Sequence, residues 1–386
     1  MRIYLDHNAT TPLRPEVREA MVRVLRDGFG NPSSVAFEGA RARTRVEEAR
    51  EQVASLLSAS PADVRFTSGA TEANNTLLLG LFSPGGRSGG EIDGHVVTTQ
   101  VEHPSVSAPL EALAARGLRV DWVAPDASGC VPVAAIEAAI TDETRLVTVI
   151  WANNETGAIQ PIEALASICR TRGIWLHADA TQAIGKLEID LAKLPVDSIA
   201  CSAHKLGGPK GVGALIARDQ AAIPPLLLGG GQERGRRGGT ENTIGIAGFA
   251  AACAMAAATG ASQAEAMRQL RDRLWQGIRH ALPGVRWNGD PMRTLPNTLN
   301  VEFEGLAGEV LLQALDLEGV AVSAGAACHS GSIEPSKILT AMGRTPEQAR
   351  ASLRFSLGFG IDGAQIERTI ELLSKLVPRI RALGEP

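Results

Sequence analysis

The chain reads as an α/β protein with a mostly parallel central sheet, helices on both faces, and a smaller α+β domain beside it. Three observations predict this. Short apolar runs alternate with amphipathic stretches through the first two-thirds of the sequence, the pattern that parallel strands and their crossover helices leave. That alternation stops near Ala256–Gly260. The length of 386 residues also exceeds what one ordinary core supports, so a second domain is expected. We set the large domain at 14–259, with 1–13 and 260–386 forming the small one.

The elements follow in order. Pro15 to Asp27 carries Val17, Ala20, Met21, Val24 and Leu25 at helical spacing, with proline at the start and Gly28 at the end. Ala42, Val46, Ala49, Val53 and Leu56 repeat the spacing over 37–59. Strand-like runs follow at 94–101, 118–123, 145–151, 174–178, 196–201 and 212–217. Helices over 105–116, 132–140 and 161–172 separate the earlier ones. An alanine-rich helix then gives way to a polar one over 262–282. Beyond it, 297–303 and 351–357 read as strands and 308–318 and 362–381 as helices.

Composition narrows the function. Hydrophobic residues make up 44% and charged residues 21%, with a formal net charge of −4. That balance fits a soluble globular protein and not a nucleic-acid binder. The five cysteines (Cys130, Cys169, Cys201, Cys253 and Cys328) form no C-x-x-C pair, so neither a metal site nor a disulfide framework is expected. Met1 leads straight into strand-like Arg2–Leu5, and no apolar run reads as a bilayer span. A cytoplasmic, membrane-free protein is the expectation.

Ligands of parallel α/β domains gather where strands end and helices begin, and four strand ends here are unusually polar. Thr67-Ser68-Gly69-Ala70-Thr71-Glu72 opens an apolar helix. Its small residues leave backbone N–H groups open to an anion, although a plain capping box has the same look. Asp179 closes the run Ile174–Ala178, and a buried carboxylate there needs a partner, either a protonated ring nitrogen or an arginine. Lys205 follows Cys201-Ser202-Ala203-His204. It is a candidate Schiff-base nucleophile or, equally, a phosphate-binding or surface lysine. The fourth end is Trp151-Ala152-Asn153-Asn154-Glu155. An anion cradle, a strand-end acid and an amine are together what pyridoxal phosphate requires.

At this point the chain resembles the cysteine desulfurases of the class-V aminotransferase group, pyridoxal-5′-phosphate enzymes of fold type I. The resemblance rests on Tyr4 to Thr11, Thr67 to Glu72, Asn153-Asn154-Glu155, His177 to Gln182, Ser202 to Lys205, Gly229 to Thr240, Ser323 to Cys328 and Arg354 to Gly358. It implies that Lys205 binds the cofactor aldehyde, Asp179 pairs the pyridinium nitrogen and His103 stacks on the ring. Gln182 and Asn154 would reach the ring oxygen. Ala70, Thr71, Ser202 and His204 would hold the phosphate, joined by Thr240 from a second subunit of a homodimer. Arg354, with Asn154, would bind the carboxylate of L-cysteine. His103 also has a plain reading as a capping or core histidine beside Pro104.

Cys328 sets the chemistry. It lies in a Ser, Ala and Gly stretch over 323–332 that buries little apolar surface, so an exposed thiol is expected, with His329 favouring thiolate. The resemblance makes it the persulfide carrier, with His103 moving protons. The sulfur would pass to an acceptor, an iron–sulfur scaffold among the candidates. Ala327-Cys328-His329-Ser330-Gly331 also resembles the selenocysteine lyases, the nearest alternative. Two other classes are an inactive scaffold and a nucleic-acid binder using Arg234, Arg236 and Arg237; that segment fits a phosphate-proximal dimer loop better.

Overall fold

The structure is a computed structural model, and it describes residues 2–82, 92, 94–218, 223–324 and 334–384. Its strands are β1 (Ile3–Tyr4), β2 (Val64–Thr67), β3 (His95–Thr99), β4 (Arg119–Val123), β5 (Thr144–Ile150) and β6 (Trp175–Asp179). They continue with β7 (Ser198–Ser202), β8 (Gly213–Ala217), β9 (Val285–Trp287), β10 (Thr298–Phe303), β11 (Val320–Ala321) and β12 (Ser352–Ser356). Seven of them form one sheet in the order β2-β8-β7-β6-β5-β3-β4. The pairs from β4 through β7 are parallel. β8 is antiparallel to both neighbours. Because β8 reverses twice, β2 again points the same way as β7. Loops after β2, β3, β5, β6 and β7 therefore open at one rim, as parallel strands buried on both faces arrange them.

The inner strands β3, β6 and β7 are buried throughout their length. Each strand anticipated from the sequence lies within two residues of its observed position. The helix Pro15–Asp27 runs over the anticipated residues, with its proline in the first turn. Further along, β12-β10-β9 form an antiparallel sheet, and β1 pairs in parallel with β11.

One helix departs from the sequence reading. Thr243–Ala281 is a continuous 39-residue helix, where an alanine-rich helix giving way to a second one was expected. Its midpoint polar residues are satisfied internally: Thr259 Oγ1 donates to the Met255 carbonyl and Ser262 Oγ to that of Thr259. The helix serves two cores. Ile246, Phe249, Ala252 and Cys253 pack into the large-sheet core, while Leu274, Ile278 and the following Leu282 pack with β10 and β12. Its first half has a mean hydropathy of 1.7 over 18 residues, long and apolar enough by composition to cross a membrane. This corrects the expectation that no run reaches that length. Alanine supplies most of that hydropathy, and the helix packs along Pro15–Asp27 and Phe37–Leu56.

Candidate active site

The strand ends build one cleft of about 860 Å³, lined by Ala70, Thr71, His103, Asn154, Asp179, Gln182, Ser202, His204, Lys205 and Arg354. Ten of the residues singled out from sequence therefore meet. Thr240 does not: it is exposed and lines an adjoining hollow that shares Ser68 and Gly211 with the cleft. Cys328 and its neighbours at 325–333 lie outside the described residues.

At the end of β2, Gly69 (φ 155°) caps the helix Ala70–Leu81 without a side-chain bond. Glu72 reaches back to accept from the Ser68 N–H at 2.8 Å, half of a capping box. No side chain caps the N–H groups of Ala70 and Thr71, and at a helix start they carry partial positive charge toward the cleft. β8 passes directly beneath: a Cβ on Gly213 would stand 2.7 Å from Gly69 Cα.

A buried polar chain fixes Asp179. Asn74 Nδ2 donates to Asp179 Oδ2 and to Ser105 Oγ, both at 2.8 Å, and the Thr181 N–H donates to Asp179 Oδ1 at 3.0 Å. With both amide protons used, Asn74 Oδ1 accepts from His177 Nε2 at 2.9 Å. His177 Nδ1 then accepts from Ser198 Oγ at 2.9 Å, which itself accepts from Trp175 Nε1 at 2.8 Å. Burial lowers the His177 pKa to about 4, against the opposing pull of Asp179, which keeps this chain neutral up to the carboxylate. The carboxylate's partners here are an amide and a backbone N–H, not the arginine that the sequence left open.

His103 takes the capping role offered for it, and it also lines the cleft. Its Nδ1 caps the helix Pro104–Ala114, accepting from the Ser105 N–H at 3.0 Å, and lies 2.8 Å from Ser105 Oγ. Burial lowers its pKa, with Asp179 opposing and Lys205 adding to the effect. A neutral imidazole accepting at Nδ1 carries its proton on Nε2. The preceding Glu102 is buried, and burial raises its pKa to about 8 although Thr99 and the Ile150 N–H bond to it.

Lys205 Nζ rests on the carbonyls of Asn8 (2.5 Å) and Ala9 (2.7 Å). Burial, then the Arg354 charge, lowers its pKa to about 8 against Asp6 and Asp179. Arg354 at β12 donates to the Asn154 carbonyl at 2.9 Å and pairs with Asp6 at 2.5 Å. Among the described residues its buried Nε finds no hydrogen-bond partner. The pairing with Asp6 was not anticipated. His204 lies 3.1 Å from Thr10 Oγ1 and is lowered to about 4 by burial and then by Lys205.

Asn8, Asn74, Ser105 and Lys186 escaped the sequence reading as site residues. Asn8 is the hub: its Nδ2 donates to the Asn154 carbonyl and to Thr298 Oγ1, and its Oδ1 accepts from Asn297. The run Tyr4 to Thr11 was the available signal. The arginines weighed for nucleic acid are all engaged: Arg234 with Glu47, Arg236 with the Ala62 carbonyl, Arg237 with Glu72.

Residues 3–368 match the aminotransferase class-V family. The chain is 40% identical over 385 residues to a cysteine desulfurase, IscS, of Clostridium botulinum, covering 99% of this chain and 96% of that one. The chain belongs to this family, among its cysteine desulfurases. A solved NifS-like protein superposes with a TM-score of 0.91 at 34% identity, covering 98% of this chain and all of that one. SspA, solved in complex with cysteine, gives 0.82 at 35% identity, covering 92% and 99%. The fold is fold type I and the cofactor is pyridoxal 5′-phosphate. The cleft fits that group: uncapped N–H donors with Ser202 and His204 suit a phosphate, Asp179 a ring nitrogen, and Lys205 an aldehyde.

Proposed function

We propose that the protein takes sulfur from L-cysteine, releases L-alanine, and holds the sulfur as a persulfide on Cys328 for transfer to an acceptor thiol. The observation that carries this reading is the convergence of Lys205, Asp179, His103 and Arg354 on one cleft. Pyridoxal phosphate, when bound, supplies an aldehyde for amines and an electron-withdrawing ring beside the substrate α-carbon. The residues do the rest. Asp179, held by Asn74, would pair with the ring nitrogen. Arg354 lines the cleft and binds the substrate carboxylate through its guanidinium. Lys205, whose basicity is lowered, is a neutral amine often enough near neutrality to remove the α-proton. His103, with its proton on Nε2, moves a proton between cleft and substrate. Cys328 attacks as thiolate: an S–S bond forms as the substrate C–S bond breaks, and protonation of the carbon yields L-alanine.

Several further assignments belong to this proposal. The roles of Ala70, Thr71, Ser202 and His204 at the phosphate and of Gln182 and Asn154 at the ring oxygen rest on the family resemblance, and their shared lining of the cleft supports them. Thr240, exposed and outside its own cleft, suits a partner's site in a homodimer. The acceptor is a thiol of an iron–sulfur scaffold or another sulfur-using pathway, and the location is cytoplasmic.

Parallel assays with L-cysteine and L-selenocysteine test the reading. Selenium leaves carbon more readily than sulfur, so a lyase for selenocysteine needs no enzyme thiol. Cys328→Ala is expected to abolish alanine release from L-cysteine while keeping bound cofactor and some turnover of L-selenocysteine. The wild-type protein, without reductant, should gain the mass of one sulfur on Cys328. Desulfuration of L-cysteine by the variant at the wild-type rate excludes the persulfide step.

A further inference from the structure

Lys186 is a second amine beside the first, and the chemistry described above does not use it. It closes the turn after β6, where Gly185 (φ +73°) lets the chain pass so close that a Cβ there would be 2.2 Å from Leu206. The segment thus lies against the loop that carries Lys205. Lys186 Nζ donates to Gln182 Oε1 at 2.7 Å and to Asn8 Oδ1 at 3.3 Å. Neither partner carries a charge. Its charged neighbours are Lys205 and Arg354, which with burial lower it to about 7; His7 and Arg14 line the small cavity behind it.

The consequence falls on Gln182. Its Oε1 faces Lys186, which donates in either protonation state, and its Nε2 donates to the Asn8 carbonyl at 2.9 Å. Turning the amide over would set its N–H groups against the Lys186 amine and its oxygen against the Asn8 carbonyl. The contact with Asn8 would become two facing oxygens, and the contact with Lys186 would be lost whenever that amine is protonated. The amide therefore has one sense, and its remaining N–H is the group offered to the cleft. The same Asn8 carbonyl receives Lys205.

We infer that Lys186 is a positioning residue: through Gln182 and Asn8 it holds an N–H donor, never an acceptor, toward the ring oxygen of the bound cofactor. The inference rests on the cofactor reading of the cleft. A donor at that oxygen draws off negative charge that would otherwise hold the neighbouring nitrogen's proton. Weakening it raises the pH at which the bound cofactor's visible absorbance changes.

The test compares Lys186→Met with the wild type by pH titration of that absorbance, and by tryptophan-fluorescence titration of the cofactor-free proteins with pyridoxal phosphate. The variant's midpoint should rise by about half a unit, the size of one weakened hydrogen bond, and its affinity for the cofactor should fall severalfold. In a Gln182→Leu background the same substitution should leave the midpoint unmoved, because the effect runs through Gln182. A wild-type midpoint in Lys186→Met, or an equal shift without Gln182, overturns the inference. If Lys186→Met does not fold, Lys186→Gln carries the test, since it removes the amine and shortens the reach. Its midpoint should rise in the same sense, and an unmoved one overturns the inference. A wild-type protein that takes up no pyridoxal phosphate fails the cofactor reading itself, which separates the two.

Discussion

The proposed chemistry requires Lys205 to be a base and a nucleophile near neutral pH, and an ordinary lysine is neither. Its surroundings answer this with burial and with the Arg354 charge, which together bring its pKa to about 8. Only the neutral amine attacks an aldehyde. Capture of pyridoxal phosphate by the cofactor-free protein should therefore speed up about tenfold per pH unit below that value and level off above it. Stopped-flow absorbance reads this directly, and Lys205→Ala should show no capture at any pH. A midpoint near the ordinary lysine value of 10.5 contradicts the assignment. The same shift acts on stability with a defined sign. Between about 8 and 10.5 the unfolded chain binds the proton that the folded one has lost, so this group makes the fold more stable as pH rises through that window. Lys205 and Asp179 were legible because a charged residue at the end of an apolar strand is rare and needs a reason. Asn8 and Asn74 were not, since asparagine is common in turns and their partners are remote. Asn8 bonds to Thr298 and Asn297, and Asn74 to His177 and Asp179. Sequence spacing carries no trace of contacts that only the folded sheet creates.

Among the elements, the strands were the most readable, because both-face burial makes each a bounded apolar run. Helix starts were read nearly as well where proline marks them, as at Pro15 and Pro104. The helix Thr243–Ala281 was divided in the reading because Gly260 and the polar residues after it look like a stop signal. Within the helix those hydroxyls bond to their own preceding turn, which removes the reason to stop. One element-scale contact has a measurable effect on the cofactor. β8 reaches the phosphate loop only because Gly213 lacks a Cβ; one there would stand 2.4 Å from the Cys201 carbonyl and 2.7 Å from Gly69 Cα. Both neighbours are backbone and cannot rotate away. Gly213→Ala should cost about 1–3 kcal/mol of stability by overpacking, read as a lower melting temperature of the cofactor-free protein. It should also weaken pyridoxal phosphate binding, because relief comes most easily by moving Gly69 and the N–H groups that follow it. Unchanged affinity in a destabilised variant would show that the strand yields instead.

For the whole molecule, the site is assembled from distant parts of the chain, and one of its expected parts is missing from this protomer's cleft. The N-terminal segment reaches it through Asp6 and Asn8, the large sheet through its strand ends, and β12 through Arg354. Among the described site residues Thr240 alone does not line the cleft; it is exposed, in an adjoining hollow that shares Ser68 and Gly211 with it. Large apolar side chains nearby in sequence are exposed as well, Leu228 at 85%, and so are Phe29 at 88% and Val35 at 98% in the segment after the first helix. A two-fold dimer of the kind proposed would cover such surface and could bring Thr240 to the neighbouring subunit's cleft. Sedimentation should accordingly give a dimer at working concentrations. The decisive test mixes two inactive proteins, Lys205→Ala and Thr240→Arg, after reversible dissociation. If Thr240 serves the partner's site, the mixed dimer contains one cleft with an intact Lys205 and an intact Thr240 from across the interface. Activity then returns, up to about a quarter of the wild-type value for random reassociation, because half of the dimers are mixed and each has one of two sites working. If Thr240 serves its own cleft, every site in the mixture lacks one group or the other. No activity returns in that case, and the trans-subunit placement is wrong.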